Sequence, residues 1–261
     1  MSLMHYPSAP FVRLLQFSSI AGLVVIPVLA LAVQEPPQPN DPGLRDRDVN
    51  ASVPNISGMW QVRGYNRYIK PEDGSLPPWL PWNQQAFEER AAAEAAGTPL
   101  YDPTAACFPS GIPRIIAAPY PVEIVQTPDQ VVFLYETQHL FRVVHLGKQH
   151  PAVIEPSSMG HAVGHWEGDT LVVDSTGFVD TTQIDEQGSK HSAQMRVIER
   201  IRKLDNGSLE VEFTIDDPAA FSKPWTAKRV WEWRPDVRFY EYVCEENNRN
   251  APDANGVLRN F

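Results

Sequence analysis

From Val122 onward the chain alternates short apolar runs with turn signals: VEIVQ, TPDQ, VVFLYE, a short link, HLFRVVHL, GHAVGHW, EGD and TLVVDSTGF. Runs rich in β-branched and aromatic residues between such turns predict strands. QMRVIERIRKL and SLEVEFTID flank DNGS, the strongest hairpin signal in the chain, and Gly168 marks a second tight turn. NISGMWQV opens the folded body with Trp60, and WTAKRVWEW and VRFYEYVCEE bring the count to at least eight strands. Closure removes exposed edges from so many strands, so the expectation is an all-β antiparallel barrel, with a β-sandwich as the alternative.

One helix stands out. In WNQQAFEERAAAEAAG, Phe87, Ala91 and Ala95 recur four apart and Gly97 ends the run. Alanine supplies helix propensity but little apolar bulk, so this helix is expected to cover the sheet as an accessory. It lies in a proline-rich insertion, about 76–121, whose YDPTAACFPSGIPRIIAAPYP cannot be a central strand. That stretch is expected either to line a cavity or to cross the surface. Residues 33–54 lack an apolar period and read as a flexible leader, leaving 55–261 as a single β-rich domain.

The N-terminus changes the picture. Arg13, the run IAGLVVIPVLALA and the ending Ala30-Leu31-Ala32 predict a signal peptide over 1–32. An uncleaved anchor over Leu14 to Val33 is the alternative. The expected location is thus periplasmic or secreted, or membrane-anchored facing outside the cytoplasm. Net charge is −10, and losing residues 1–32 removes only Arg13 and leaves −11. With no basic stripe to neutralise phosphates, nucleic acid is excluded as an expected partner. Cys107 and Cys244 are expected to form a disulfide in an oxidising compartment, two separate buried thiols being the alternative.

Gly58, Met59 and Trp60 in ISGMW resemble the N-terminal Gly-x-Trp signature of lipocalin-like barrels. That resemblance implies an enclosed apolar ligand cavity with Trp60 near its closed end. CFPSGIPR, APYPVEIVQTPDQVVFLYE, GHAVGHWEGDTLVVDSTGF, HSAQMRVIERIR and EYVCEEN are similar to a widespread group of secreted bacterial β-rich proteins without an assigned activity. This second resemblance implies bacterial export and carries no catalytic assignment.

Candidate chemistry is densest between Gly160 and Glu199. Strand parity puts His161 and His165 on one face, opposite Trp166, a candidate ligand contact, and Asp174 follows across the turn. A histidine beside a carboxylate titrates near neutrality and can relay a proton. Glu199 shares a face with Val197 and Ile201, and Glu241 lies between Phe239 and Val243. An inward carboxyl of that kind must be paired or protonated, which suits a raised-pKa acid. Arg142, Tyr135 and Glu123 are expected to orient an oxygen-rich ligand, and Arg114 in IPRII is an anion-binding candidate.

His191 extends the histidine set, and Zn²⁺ or another transition metal at His161, His165 and His191 is the alternative to a cofactor-free site. His-x-x-x-His on a strand separates its side chains by about 13 Å, so one ion could hold both only across a bulge. No GxSxG elbow, P-loop, dinucleotide fingerprint or CxxC pair occurs. These residues point to an exported small-molecule lyase, isomerase or hydratase using His/carboxylate general acid–base catalysis in a barrel cavity. A non-catalytic binding protein for a small, partly apolar ligand and an envelope structural protein are the alternatives. N-terminal membrane association and homo-oligomerisation stay open.

Overall fold

The computed structural model describes residues 52–98 and 102–244. The signal or anchor at 1–32 and the leader up to residue 51 lie outside the described residues. Nine strands close into a barrel in simple chain order: β1 (Gly58–Val62), β2 (Val122–Gln126), β3 (Gln130–Tyr135), β4 (Phe141–Leu146), β5 (His161–Glu167), β6 (Thr170–Thr176), β7 (Arg196–Lys203), β8 (Leu209–Asp216) and β9 (Trp225–Trp233). Every neighbouring pair is antiparallel except β4 and β5.

Parity explains that exception. An odd number of strictly up-and-down strands would leave the first and last parallel, so one parallel pair is what lets β1 meet β9 antiparallel. Parallel neighbours need a crossover of a dozen residues or more, and residues 147–160 supply it. The strands close into a barrel as expected, and the alternative sandwich is not formed. The barrel is mixed, unlike the eight-stranded up-and-down barrel of lipocalins. VRFYEYVCEE departs from expectation too, because residues 234–244 run as an irregular segment.

The strand directions give the barrel two different ends. Tight turns at 127–129, 168–169 and 204–208 close one end; the long excursions 63–121, 177–195 and 217–224 gather at the other. The second end is the mouth. Residues 234–244 connect the two. Arg234 N–H bonds Met59 O at the closed end, Tyr240 N–H reaches a Glu136 carboxylate oxygen at the mouth, and Cys244 joins Cys107 there in a disulfide.

The interior is filled by side chains. Trp60, Phe133, Leu171, Val173, Phe213 and Trp231 are all essentially without solvent contact. Full burial of each such side chain contributes about 2 kcal/mol. Two of the buried indole N–H groups are satisfied, Trp60 by Ile56 O and Trp231 by Ile116 O, whereas those of Trp79 and Trp225 find no partner among the described residues. The accessory helix, α1 (Pro81–Ala95), forms where expected. Pro81 suits the first turn, where its missing N–H has no helical partner anyway. The helix docks through Trp79 stacked on Phe87, 4.4 Å between ring centres, and through buried Asn83, which donates to Lys190 O and accepts from Lys190 N–H.

Candidate functional site

At the mouth, four stretches distant in sequence enclose a cleft of about 150 Å³: residues 65–69, 104–120, 137–138 and 185–186, with Tyr242 closing one side. The proline-rich insertion thus lines a cavity, one of its two expected roles. A volume of that order holds a benzene-sized ring. Three tyrosines, Tyr65, Tyr120 and Tyr242, contribute rings to it, and Tyr120 meets Tyr242 edge-on at 5.7 Å.

The floor comes from an unusual loop. Between Thr182 and His191 the chain reads TQIDEQGSKH, yet only Glu186 and Lys190 escape full burial. Buried loops must find partners for their backbone groups. Asp185 does much of that work, its carboxylate accepting the N–H groups of Ile69 and Ser189. Burial pushes the Asp185 carboxyl above the usual carboxylate range, against those N–H bonds. Burial, and then the neighbouring Glu186 carboxylate, push the Tyr65 hydroxyl up as well, which keeps it protonated as a donor.

Both guanidiniums of the lining are already engaged. Arg114 is buried and bidentate on Asp102, at 2.8 and 2.7 Å, with Thr104 Oγ1 at 3.1 Å. Arg67 reaches Glu94 at 2.6 Å. Among the described residues, two buried polar atoms of this lining have no partner: Thr137 Oγ1, on a residue only 7% exposed, and Arg67 Nε. Gln138, held in the left-handed region (φ 56°), accepts from Ser110 N–H and Oγ–H and donates to Phe108 O.

Of the residues singled out from the sequence, Arg114 alone reaches this cleft. Arg142 and Glu199 both point inward, as their parity requires, but they face each other across the core. Each side chain is 1% exposed, and the pair is bidentate, the longer contact being Arg142 Nη2 to Glu199 Oε2 at 2.9 Å. The Arg142 guanidinium also lies 4.7 Å over the Phe133 ring. Tyr135 is buried beside them. Burial pushes its hydroxyl up to about 12, and no aligned partner is found for it among the described residues. An arginine expected to hold ligand and a glutamate expected to act as acid thus neutralise one another. Glu123 pairs in register with Leu134, opposite in parity to Tyr135, so it does not join them; burial alone raises its carboxyl. Glu241 is exposed in the irregular segment, and Trp166 is half-buried against the core.

The three expected histidines do not gather. His165 is exposed and pairs with Glu167 at 3.1 Å, which also binds Arg200. His191 is buried in the mouth loop, its Nδ1 3.0 Å from Ser192 O and its Nε2 2.7 Å from Thr182 Oγ1. A carbonyl only accepts, so Nδ1 carries the proton and Nε2 accepts from the threonine. Burial pushes the His191 imidazole down. The zinc alternative therefore loses its geometry. Among the described residues, no group of three or more His, Cys, Asp or Glu side chains is placed to hold a metal ion.

His161 instead joins two histidines not anticipated from the sequence. On the outer wall its Nδ1 lies 2.8 Å from His150 Nδ1, and its ring stacks 5.5 Å from His145. His150 Nε2 is 3.6 Å from Asp174, ion-pair range but too long for a hydrogen bond; Asp174 is bidentate with Arg196. Desolvation, then the His150 and His145 charges, push the His161 imidazole down. His145 comes from β4, and His150 arrives on the crossover. The barrel thus carries a half-buried His150–Asp174 pair and a buried His191–Thr182 pair, compatible with catalysis or ligand binding.

The cleft residues Tyr65, Asn66, Thr137, Gln138, Glu186 and Tyr242 were likewise not singled out. The sequence did carry one sign of them: a polar loop, TQIDEQGSKH, too rich in hydrogen-bonding groups to be buried without purpose. Compared with known proteins, the chain matches no protein-family model and no curated protein sequence. No helix among the described residues is long and apolar enough to cross a membrane.

Proposed function

We propose that the protein is exported and binds a small, oxygen-bearing organic molecule in the tyrosine-lined mouth cleft. The observation that carries this reading is the cleft itself: concave, about 150 Å³, with aromatic rings beside convergent polar groups. A lipocalin-like mode would place the ligand inside the barrel, and the filled interior counts against it. Export rests on the N-terminal pattern and on the resemblance to secreted bacterial proteins. The Cys107–Cys244 disulfide accords with an oxidising compartment.

The test is a screen of small oxygen-bearing compounds by ligand-observed NMR, followed by recovery of each bound compound. Binding is expected, with the compound recovered unchanged, and Tyr65→Ala, at an exposed position, weakens it. Equal binding by Tyr65→Ala and Tyr120→Ala variants would remove the cleft from the account.

A second reading, acid–base turnover as a lyase, isomerase or hydratase, is favoured by one observation: His150 and His161 lie within proton-transfer distance, 2.8 Å between their Nδ1 atoms, with the Asp174 carboxylate in ion-pair range of His150. Chemical conversion of the compound, abolished by separate His150→Ala and His161→Ala substitutions, would establish this reading over simple binding.

A further inference from the structure

The chemistry of the mouth cleft narrows what it can take. We infer that the ligand is an uncharged, polyhydroxylated ring of monosaccharide size. The inference rests on the cleft being the ligand site, and adds its chemical class.

Charge is the first argument. Two cations line the cleft, Arg67 and Arg114, and each is already neutralised by a carboxylate of the protein. Two carboxylates, Asp185 and Glu186, line it as well. An anionic ligand would meet those carboxylates without a compensating charge, because Glu94 and Asp102 already balance the charges of Arg67 and Arg114. Arg90 and Lys190 stand behind the lining, within electrostatic reach of Asp102.

Hydrogen bonding is the second. Thr137 Oγ1 and Arg67 Nε, both on residues that line the cleft, are buried and have no partner among the described residues. A buried polar group without a partner is destabilising, and a ligand that supplies one is correspondingly favoured. A ligand hydroxyl both donates and accepts, so it can accept from Arg67, bond either way with Thr137 and donate to Glu186. A purely apolar ligand would leave Thr137 Oγ1 and Arg67 Nε unsatisfied.

Shape is the third. Three tyrosines line the cleft beside polar groups, and aromatic surface next to hydrogen-bonding groups suits a ring whose faces are C–H and whose perimeter is O–H. The volume admits one ring, so a longer chain of such rings would have to enter by its end.

The experiment titrates the full exported chain with glucose, galactose, mannose and N-acetylglucosamine. Glucuronate and benzoate serve as anionic comparators of the same size. Saturable binding of at least one neutral sugar is expected, with both anions silent. Thr137→Val, which keeps the shape and removes the hydroxyl, weakens that sugar about tenfold, the loss of one hydrogen bond. Unchanged thermal melting shows that the variant is folded, and Tyr242→Ala provides an independent reduction in affinity. Benzoate or glucuronate binding that depends on Tyr65 while the neutral sugars stay silent would overturn the ligand class and leave the cleft as the site. Silence of the whole panel, with other compounds binding away from the cleft, would overturn both. Sugar binding unaffected by both Thr137→Val and Tyr242→Ala would place the sugar elsewhere and overturn the inference.

Discussion

Glu199 shows how a buried charge can be structural. Its parity on β7 turns it inward, and the cation that meets it, Arg142, lies 57 positions earlier on β4. Removing one partner strands the other in the core. Glu199→Ala is therefore expected to destabilise by about 3–5 kcal/mol in urea unfolding, whereas replacing both partners by apolar residues of similar volume recovers most of the loss. If Glu199→Ala unfolds at the same urea concentration as the parent, the pair is not the core lock described here.

His191 sets an acid limit in the same way. Its folded-state pKa lies below the ordinary 6.5, so the unfolded chain binds the proton more readily. Stability should be fully present above pH 6.5 and fall as pH drops towards the depressed folded value, with His161 adding in the same direction. His191→Asn should make the pH dependence of the unfolding midpoint shallower across that window; an unaltered slope would remove His191 as its cause. At this scale the sequence was informative about direction and silent about partners. Parity alone turns Arg142 and Glu199 inward, but only barrel closure brings them together.

At the level of elements, the crossover between β4 and β5 is the feature the hydrophobic pattern could not reveal. HLFRVVHL and GHAVGHW both read as strands, and nothing in their periodicity distinguishes parallel from antiparallel pairing. The crossover's end is tightly specified by Gly160, where φ is +65° and an added Cβ would lie 2.6 Å from the Phe178 ring and 2.8 Å from Thr176 O. Gly168 has nearly the same φ, +62°, but open space around it. Gly168→Ala is thus expected to cost about 1 kcal/mol, and Gly160→Ala clearly more, since backbone strain and a clash add. Equal melting temperatures for the two variants would contradict this account of the crossover. The crossover also explains why His145 and His150 escaped the sequence reading, since one lies on a strand face and the other on a loop that only the parallel pairing folds over it.

For the whole molecule, sequence periodicity was enough for the all-β barrel, the accessory helix and the hairpins, because each rests on local pattern. The mouth cleft draws on separate stretches that share no period, and only Arg114 was legible there. The irregular segment 234–244 completes the cleft with Tyr242 and is fastened two residues later by Cys244. Closing a loop across 137 positions constrains the unfolded chain by about 5 kcal/mol in the chain-entropy model. A Cys107→Ser, Cys244→Ser double variant should therefore melt lower and bind ligand more weakly; lower melting with undiminished affinity would dissociate Tyr242 from the site.

The most direct test of the mouth cleft as ligand site is a backbone amide chemical-shift titration of the full chain with a bound small molecule. The account predicts that the shifts concentrate on residues 65–69, 137–138, 185–186 and Tyr242. Shifts confined instead to the outer wall around His145, His150 and His161 would contradict it.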